Sequence, residues 1–331
     1  MEFLNLDEFR ERREEFDEAV MATPGIPDCC SGSAWALAAH DTLRLSEFRK
    51  IPPLIVQENG HWLLFAQRPV SQGTYYFEPF EGYWLFTCPL VGPDPSKSLY
   101  LLNKVVDKLQ SNRAMCFLLG GVPAGGELDH LVENQSNPFQ IIQKAEGIPS
   151  MWIYLNEGLQ GYLDRRSIKF RKSIRQAHKK IANQNLTFED ICDYGEGVFE
   201  RLMSIEEKSW KFNSGQSIFQ EYPFVKFYTY LMESSGMTND LRFLVAQLDG
   251  QDVGYIMGGI FGKTYRGWQM SYDEKFRSLS IGNVLQIENM NRRAEEGVEI
   301  YDLGMFAEYK SRWTDDTREQ NVYVIMYSSV E

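Results

Sequence analysis

The sequence predicts an α/β (α+β) protein of two tandem units, each a mixed, mostly antiparallel sheet flanked by helices. Three observations predict it. At 331 residues the chain is long enough for two cores of ordinary size. From Leu241 to Trp313 it reads as strand, tight turn, strand, strand, polar loop, amphipathic helix and strand. The same order recurs from Pro53 to Leu119, where 31 residues separate the third strand (from Tyr83) from the last (from Ala114), against 34 between Tyr265 and Glu299. A single large α/β domain with chance similarity between its halves is the alternative.

Taken in order, Glu2–Val20 reads as a helix with Phe9, Phe16 and Val20 toward one side. Pro53–Gln67 is a strand, a turn at Asn59-Gly60 and a second strand, because both turn residues tolerate the positive φ of a tight hairpin. Tyr83–Leu90 is a strand, Val91–Lys97 a loop, Ser98–Gln110 a helix and Ala114–Leu119 a strand. The polar stretch Glu127–Asn137 follows, and a join near Glu146–Asn156 divides the chain into units 1–150 and 151–331. Ser167–Ala182 is a helix with Phe170, Ile174, Ala177 and Ile181 on one stripe and its cations elsewhere. Asp249-Gly250 is a second hairpin turn, and Tyr265–Tyr272 a strand that leads into a polar loop. Ile281, Leu285, Glu288 and Arg292 recur near the helical period until Gly297 ends the helix, and Glu299–Leu303 closes the unit.

Composition narrows the classes. No apolar run approaches the ~20 residues of a membrane span, and Glu2–Glu18 lacks the basic and apolar regions of a signal peptide, so the chain reads as soluble and cytoplasmic. Cys29, Cys30, Cys88, Cys116 and Cys192 are odd in number and lack metal-ligand spacing, as do the four histidines; they read as reduced thiols, with no metal site. Eight Lys or Arg and no acid occur from Arg165 to Lys180, so with the whole chain at −12 the remainder carries −20. An acidic chain argues against general nucleic-acid binding and leaves the basic helix as the place for an anionic partner.

The chemistry-bearing residues cluster in the second half. Arg277-Ser278-Leu279-Ser280-Ile281-Gly282-Asn283 joins a strand to a helix, where unpaired N–H groups make a ready site for phosphate. Four further features accompany it: the basic run Ser167–Lys180, Ser209-Trp210-Lys211, Tyr272-Asp273, and Asp302-Leu303-Gly304 leading to Tyr309-Lys310 and Trp313. Together they resemble the GNAT acyltransferase superfamily, in its CelD-like branch related to the Fem peptidyltransferases, over residues 165–315. In that family the loop pattern is Arg/Gln-x-x-Gly-x-Gly/Ala, so Ser280 stands in place of the first glycine and puts a side chain where backbone meets the pyrophosphate. The resemblance also implies two GNAT-like units in tandem.

It implies further that an acyl group passes from a thioester to an amine by direct attack, without a covalent enzyme intermediate. Arg277, Ser278, Ser280, Ile281, Gly282 and Asn283 are the candidates for holding the donor, either acyl-CoA or an acyl-phosphopantetheine, with no permanently bound cofactor. Asp273, beside Tyr272 at the strand end, is the candidate for the amine proton, with Glu206 as its rival; a turn or cap is the structural alternative for Asp273. Lys310 matches the Fem lysine near the donor phosphate. Trp210, Lys211, Trp268 and Tyr309 are candidate groove residues. In the first half, Gly92-Pro93-Asp94-Pro95 removes N–H donors and adds a negative charge, so that half is expected to shape the acceptor groove instead. The basic helix either docks an acidic acyl carrier protein or is a solvated face. Aminoacyl-tRNA as donor, and a non-catalytic scaffold on the same fold, are the alternatives.

Overall fold

The computed structural model describes residues 1–331 apart from 27, 70, 72–73, 110–113, 135–137, 192–196, 234–239 and 328–331. Cys192, Gln110 and the end of the Glu127–Asn137 stretch lie outside the described residues. The chain divides into two units: Met1–Pro149 with Arg318–Glu331, and Ser150–Thr317. It passes between them twice, so the expected assignment of everything after residue 150 to the second unit does not hold for the C-terminal strand.

The first unit receives β1 (Glu2–Leu4), β2 (Leu54–Glu58), β3 (His61–Gln67), β4 (Tyr75–Pro79), β5 (Leu90–Val91), β6 (Met115–Pro123) and β7 (Phe139–Glu146). The second receives β8 (Ser150–Tyr154), β9 (Leu186–Ile191), β10 (Leu241–Leu248), β11 (Gln251–Phe261), β12 (Thr264–Tyr272), β13 (Ile300–Met305) and β14 (Asp316–Arg318). β15 (Gln320–Tyr327) then returns to the first sheet between β6 and β7. The sheet orders are β1-β2-β3-β4-β6-β15-β7 and β14-β8-β13-β12-β11-β10-β9. Each is antiparallel except for one parallel pair, β4 with β6 and β12 with β13. Apart from β5, which pairs with β3 off this path, the two orders correspond strand for strand when one is reversed, which makes the units structural repeats.

Both hairpins form as local chemistry requires, with positive φ at Asn59, Gly60, Asp249 and Gly250. Three expectations for the first unit fail. Glu2–Leu4 pairs with β2, and the helix beyond it breaks at Arg12 into Leu6–Glu11 and Arg13–Ala22, although Phe9, Phe16 and Val20 are all buried. The helix expected from Ser98 begins at Pro95, where the Asp94 carboxylate accepts the Ser96 and Lys97 N–H groups.

The aromatic run Tyr83–Leu90 is no strand until Leu90, and the third strand of the plan is β4. The cause is Glu81. Its carboxylate is fully buried and accepts the N–H groups of Tyr83, Trp84, Leu85 and Phe86, which removes them from any ladder. The run lies instead against β6, where Gly121 donates to the Leu85 carbonyl at 2.9 Å and a Cβ on Gly121 would meet the Phe86 carbonyl at 2.3 Å. That crossing comes just after β4 and β6 stop pairing at Phe77 and Phe117.

In the second unit the helix Ile281–Glu295 packs on the sheet. Ile281 and Leu285 join Leu244, Val253 and Ile256 in one core cluster, while Ile287 and Met290 join Phe170, Ile174, Tyr301 and Trp313 in another. Phe170 and Ile174 bring in the basic helix, Ile168–Ile181, by the stripe its sequence presents.

The return of β15 is testable. Deleting residues 318–331 removes a strand paired on both sides, with Tyr323 and Ile325 buried. Amide exchange should accelerate in β6 and β7 and stay slow in β10 to β13; equal loss in both units, or none, would contradict the division.

Candidate functional site

β12 and β13 run parallel for only three residue pairs, ending at Arg266 opposite Asp302. Beyond that point they splay. The Arg266 guanidinium and the Asp302 carboxylate meet at 2.5 Å, each 6% exposed, so both are held out of water at the last paired position. The other Asp302 oxygen accepts the Gly304 N–H at 2.7 Å. Gly304 takes φ +80, which bends β13 away and shifts its register against β8 between Asp302 and Met305. On the other side, the β11 ladder slips between Met257 and Gly258, leaving Trp268 as a bulged residue of β12.

The splay opens into a cavity of about 660 Å³. Its walls are β12 from Gly267 to Tyr272, Leu303 and Met305 of β13, Trp210-Lys211, the segment Tyr309–Trp313, and the start of the helix Ile281–Glu295. At the helix end stand Arg277, Ser280, Gly282 and Asn283. Ser280 is left-handed at φ 60, the conformation a glycine adopts freely, so the serine keeps the loop geometry at some backbone cost. Its hydroxyl accepts from Lys180 at 3.0 Å, which ties the basic helix to the loop. Arg312 donates to Asn283 at 2.8 Å. A Cβ at Gly282 would stand 3.1 Å from the Tyr272 ring, so the glycine permits the close approach of helix and strand. The Ser280 N–H donates to the Arg277 carbonyl and the Asn283 N–H to the Ser280 carbonyl, so the helix start offers the Ile281 and Gly282 N–H groups.

Two lysines cap main-chain carbonyls, Lys310 at the splay end and Lys211 midway along the β12 wall. Lys310 donates to Leu303 and Met305, both at 2.8 Å, and its amine lies 3.8 Å from where a Gly304 Cβ would be. Burial lowers its pKa to about 8; Arg266 and Lys211 also lower it, and Asp302 opposes them. Lys211 donates to the Met270 carbonyl at 2.7 Å, and burial lowers its pKa while Glu206 raises it.

A sequence model of the GNAT acetyltransferase domain matches residues 168–311, which contain the loop, both lysines and the splayed strands. The second unit is a GNAT domain. Solved structures resemble the whole chain in fold. A conserved protein of unknown function from Bacteroides thetaiotaomicron shares 12% identity at a TM-score of 0.66, over 98% of this chain and 100% of the other. FemX shares 13% at 0.67, over 98% and 97%. The C-terminal domain of a putative lysylphosphatidylglycerol synthetase from Agrobacterium fabrum shares 12% at 0.56, over 95% and 92%. No curated protein matches the sequence.

Not all expected residues meet in the cavity of the GNAT domain. Arg277, Ser280, Gly282, Asn283, Tyr272, Trp210, Lys211, Trp268, Tyr309 and Lys310 line it. Ser278 is exposed outside it, and the Ile281 side chain belongs to the core. Neither expected carboxylate is among the lining residues. Asp273 accepts the Lys275 N–H at 3.0 Å and caps the turn Glu274–Leu279; Glu206 accepts the Ser217 and Tyr255 hydroxyls at 2.6 and 2.8 Å. Lys310 stands at the splay rather than at the loop. Sequence reading missed Arg266, Arg312 and the Lys180–Ser280 link; an arginine inside an apolar strand was the available signal for the first. Of the basic run, Arg165 and Arg166 pair with Asp315, whereas Lys169, Lys172, Arg175 and Lys179 are exposed without an ion pair among the described residues.

The buried pair makes a stability prediction. Asp302→Ala removes the carboxylate that offsets the buried Arg266 charge, and should cost about 3–5 kcal/mol in urea unfolding. Arg266→Met with Asp302→Leu should recover most of that loss. A single variant as stable as the wild type would show the pair to be dispensable.

Proposed function

We propose that the protein is an N-acyltransferase that moves an acyl group from a phosphopantetheine thioester to an amine. The observation that carries this reading is the splay, whose cavity runs from the lysines to the helix N-terminus. Gly267 lies against Gly304, and Tyr272 against Gly282. The five residue steps from Gly267 to Tyr272 span ~16 Å, a length suited to an extended pantetheine arm. Arg277, Ser280, Gly282 and Asn283 would hold the phosphate, and the bulged backbone of β12 would polarise the thioester carbonyl.

Lys310 is the base in this scheme, since no carboxylate lines the cavity among the described residues. As a neutral amine it has two N–H groups, both accounted for by the Leu303 and Met305 carbonyls, and one lone pair left over. The acceptor nitrogen attacks the carbonyl carbon and its proton passes to Lys310. The C–S bond then breaks, and the thiolate takes that proton. The form that acts prevails above about pH 8, so kcat/KM should rise with pH up to about 8 and then level. Lys310→Met should lower kcat by ~10²–10⁴-fold and flatten this rise. A pH profile unchanged in the variant would remove Lys310 from the proton path.

The donor we favour is an acyl carrier protein, with acyl-CoA as the simpler case. The exposed cations of the basic helix continue to the loop through Lys180, and an acidic carrier would be drawn to them. Reversing Lys172, Arg175 and Lys179 to glutamate should slow transfer from an acylated carrier at low salt and spare transfer from acyl-CoA. Loss of both, or of neither, would refute carrier docking there. The first unit, whose helix start is capped by Asp94, is the acceptor-side or structural partner in this reading.

A further inference from the structure

The cavity carries four cations, Lys211, Arg277, Lys310 and Arg312, and no aspartate or glutamate lines it among the described residues. An acceptor that enters as a bare ammonium finds no counter-charge there and meets repulsion instead. Arg277 and Arg312 stand at the helix end, where the donor phosphate accounts for their charge. Lys211 does not belong to that end. Its amine sits on the Met270 carbonyl, on the β12 side of the splay, and this is its only hydrogen bond among the described residues. An ammonium has three N–H groups, so two remain for a ligand. Lys211 is also close enough to Lys310 to disfavour its charge, and burial disfavours its own. An anion bound between the strands would offset both effects.

Resting on the acyl-transfer reading above, we infer that the acceptor is an amine that also bears a carboxylate, and that Lys211 holds this carboxylate while Lys310 faces the amine. Trp210 and Tyr309, both lining the cavity and both exposed at 43% and 57%, give the carbon skeleton of such a molecule an aromatic wall. Lys211 is thus a specificity residue: it selects by charge and takes no proton.

The test compares acceptors that differ in charge alone. Thiol release from acetyl-coenzyme A, and from an acetylated carrier protein, is followed with glycine, β-alanine and 6-aminohexanoate and with their carboxamides. The best carboxylate should exceed its amide in kcat/KM by about tenfold or more, the worth of one charge-assisted hydrogen bond. Lys211→Met should bring the ratio near one, and Lys211→Arg should keep it. Amides used as well as carboxylates by the wild type would overturn the inference without any variant. Calorimetric titration with the N-acetylated carboxylates and their amides needs no turnover, and so separates this inference from the reaction itself. Carboxylate binding lost in Lys211→Met, with no thiol release from any acceptor, would uphold the anion site and reject acyl transfer. Thiol release without such binding would uphold acyl transfer and reject the anion site.

Discussion

Where β12 and β13 cease to pair, an arginine and an aspartate are buried against each other, and the rest of the site is laid out from that point. Each charge loses its hydration, at an effective cost of several kcal/mol per ion. Isolated, neither would stay there. Together, with Asp302 also receiving the Gly304 N–H, they occupy the last rung of the parallel ladder. Gly304 then turns left-handed, β13 bends off from β12, and the Leu303 and Met305 carbonyls accept from a lysine. The backbone of β12 beyond Arg266 is released on that side to line the cavity. A buried ion pair is weak evidence for net stability, but it is a sharp device for fixing where a register ends.

The first unit has the same strand order and the same single parallel pair, yet a different outcome. Its parallel ladder stops at two phenylalanines, Phe77 and Phe117, where the second unit has its arginine and aspartate. A strap of its own chain, organised by the buried Glu81 carboxylate, crosses β6 at Gly120-Gly121. The helix that follows starts with a proline and an aspartate cap, which leaves little positive field for an anion. One plan thus yields a lined cavity in one copy and packed chain at the matching position in the other.

What could be read from the sequence is what short-range physics decides. Asn59-Gly60 and Asp249-Gly250 form turns because their own backbones allow positive φ. The basic helix buries Phe170, Ile174 and Ala177 because the helical period puts them on one face. The loop Arg277–Asn283 was legible for the same reason, since strand, turn and helix follow one another directly. The errors are long-range. Tyr83–Leu90 alternates like a strand, but a glutamate just before it takes its N–H groups. Asp273 and Glu206 have the right chemistry for a base, and sequence cannot reveal that a turn and two hydroxyls already occupy them. Arg266 and Asp302 lie 36 residues apart, so only the pairing of their strands makes them partners.

The path of β15 bears on how the chain is made. On the ribosome, residues 150–317 emerge before 320–327, so the middle of the chain can complete its sheet while the beginning still lacks a strand. Until the C-terminal segment arrives, β6 and β7 each present an open edge, the surface through which nascent sheets join the wrong chain. This later-translated stretch therefore acts as the bolt of the first unit, and a chain that stalls before it leaves that unit unlocked.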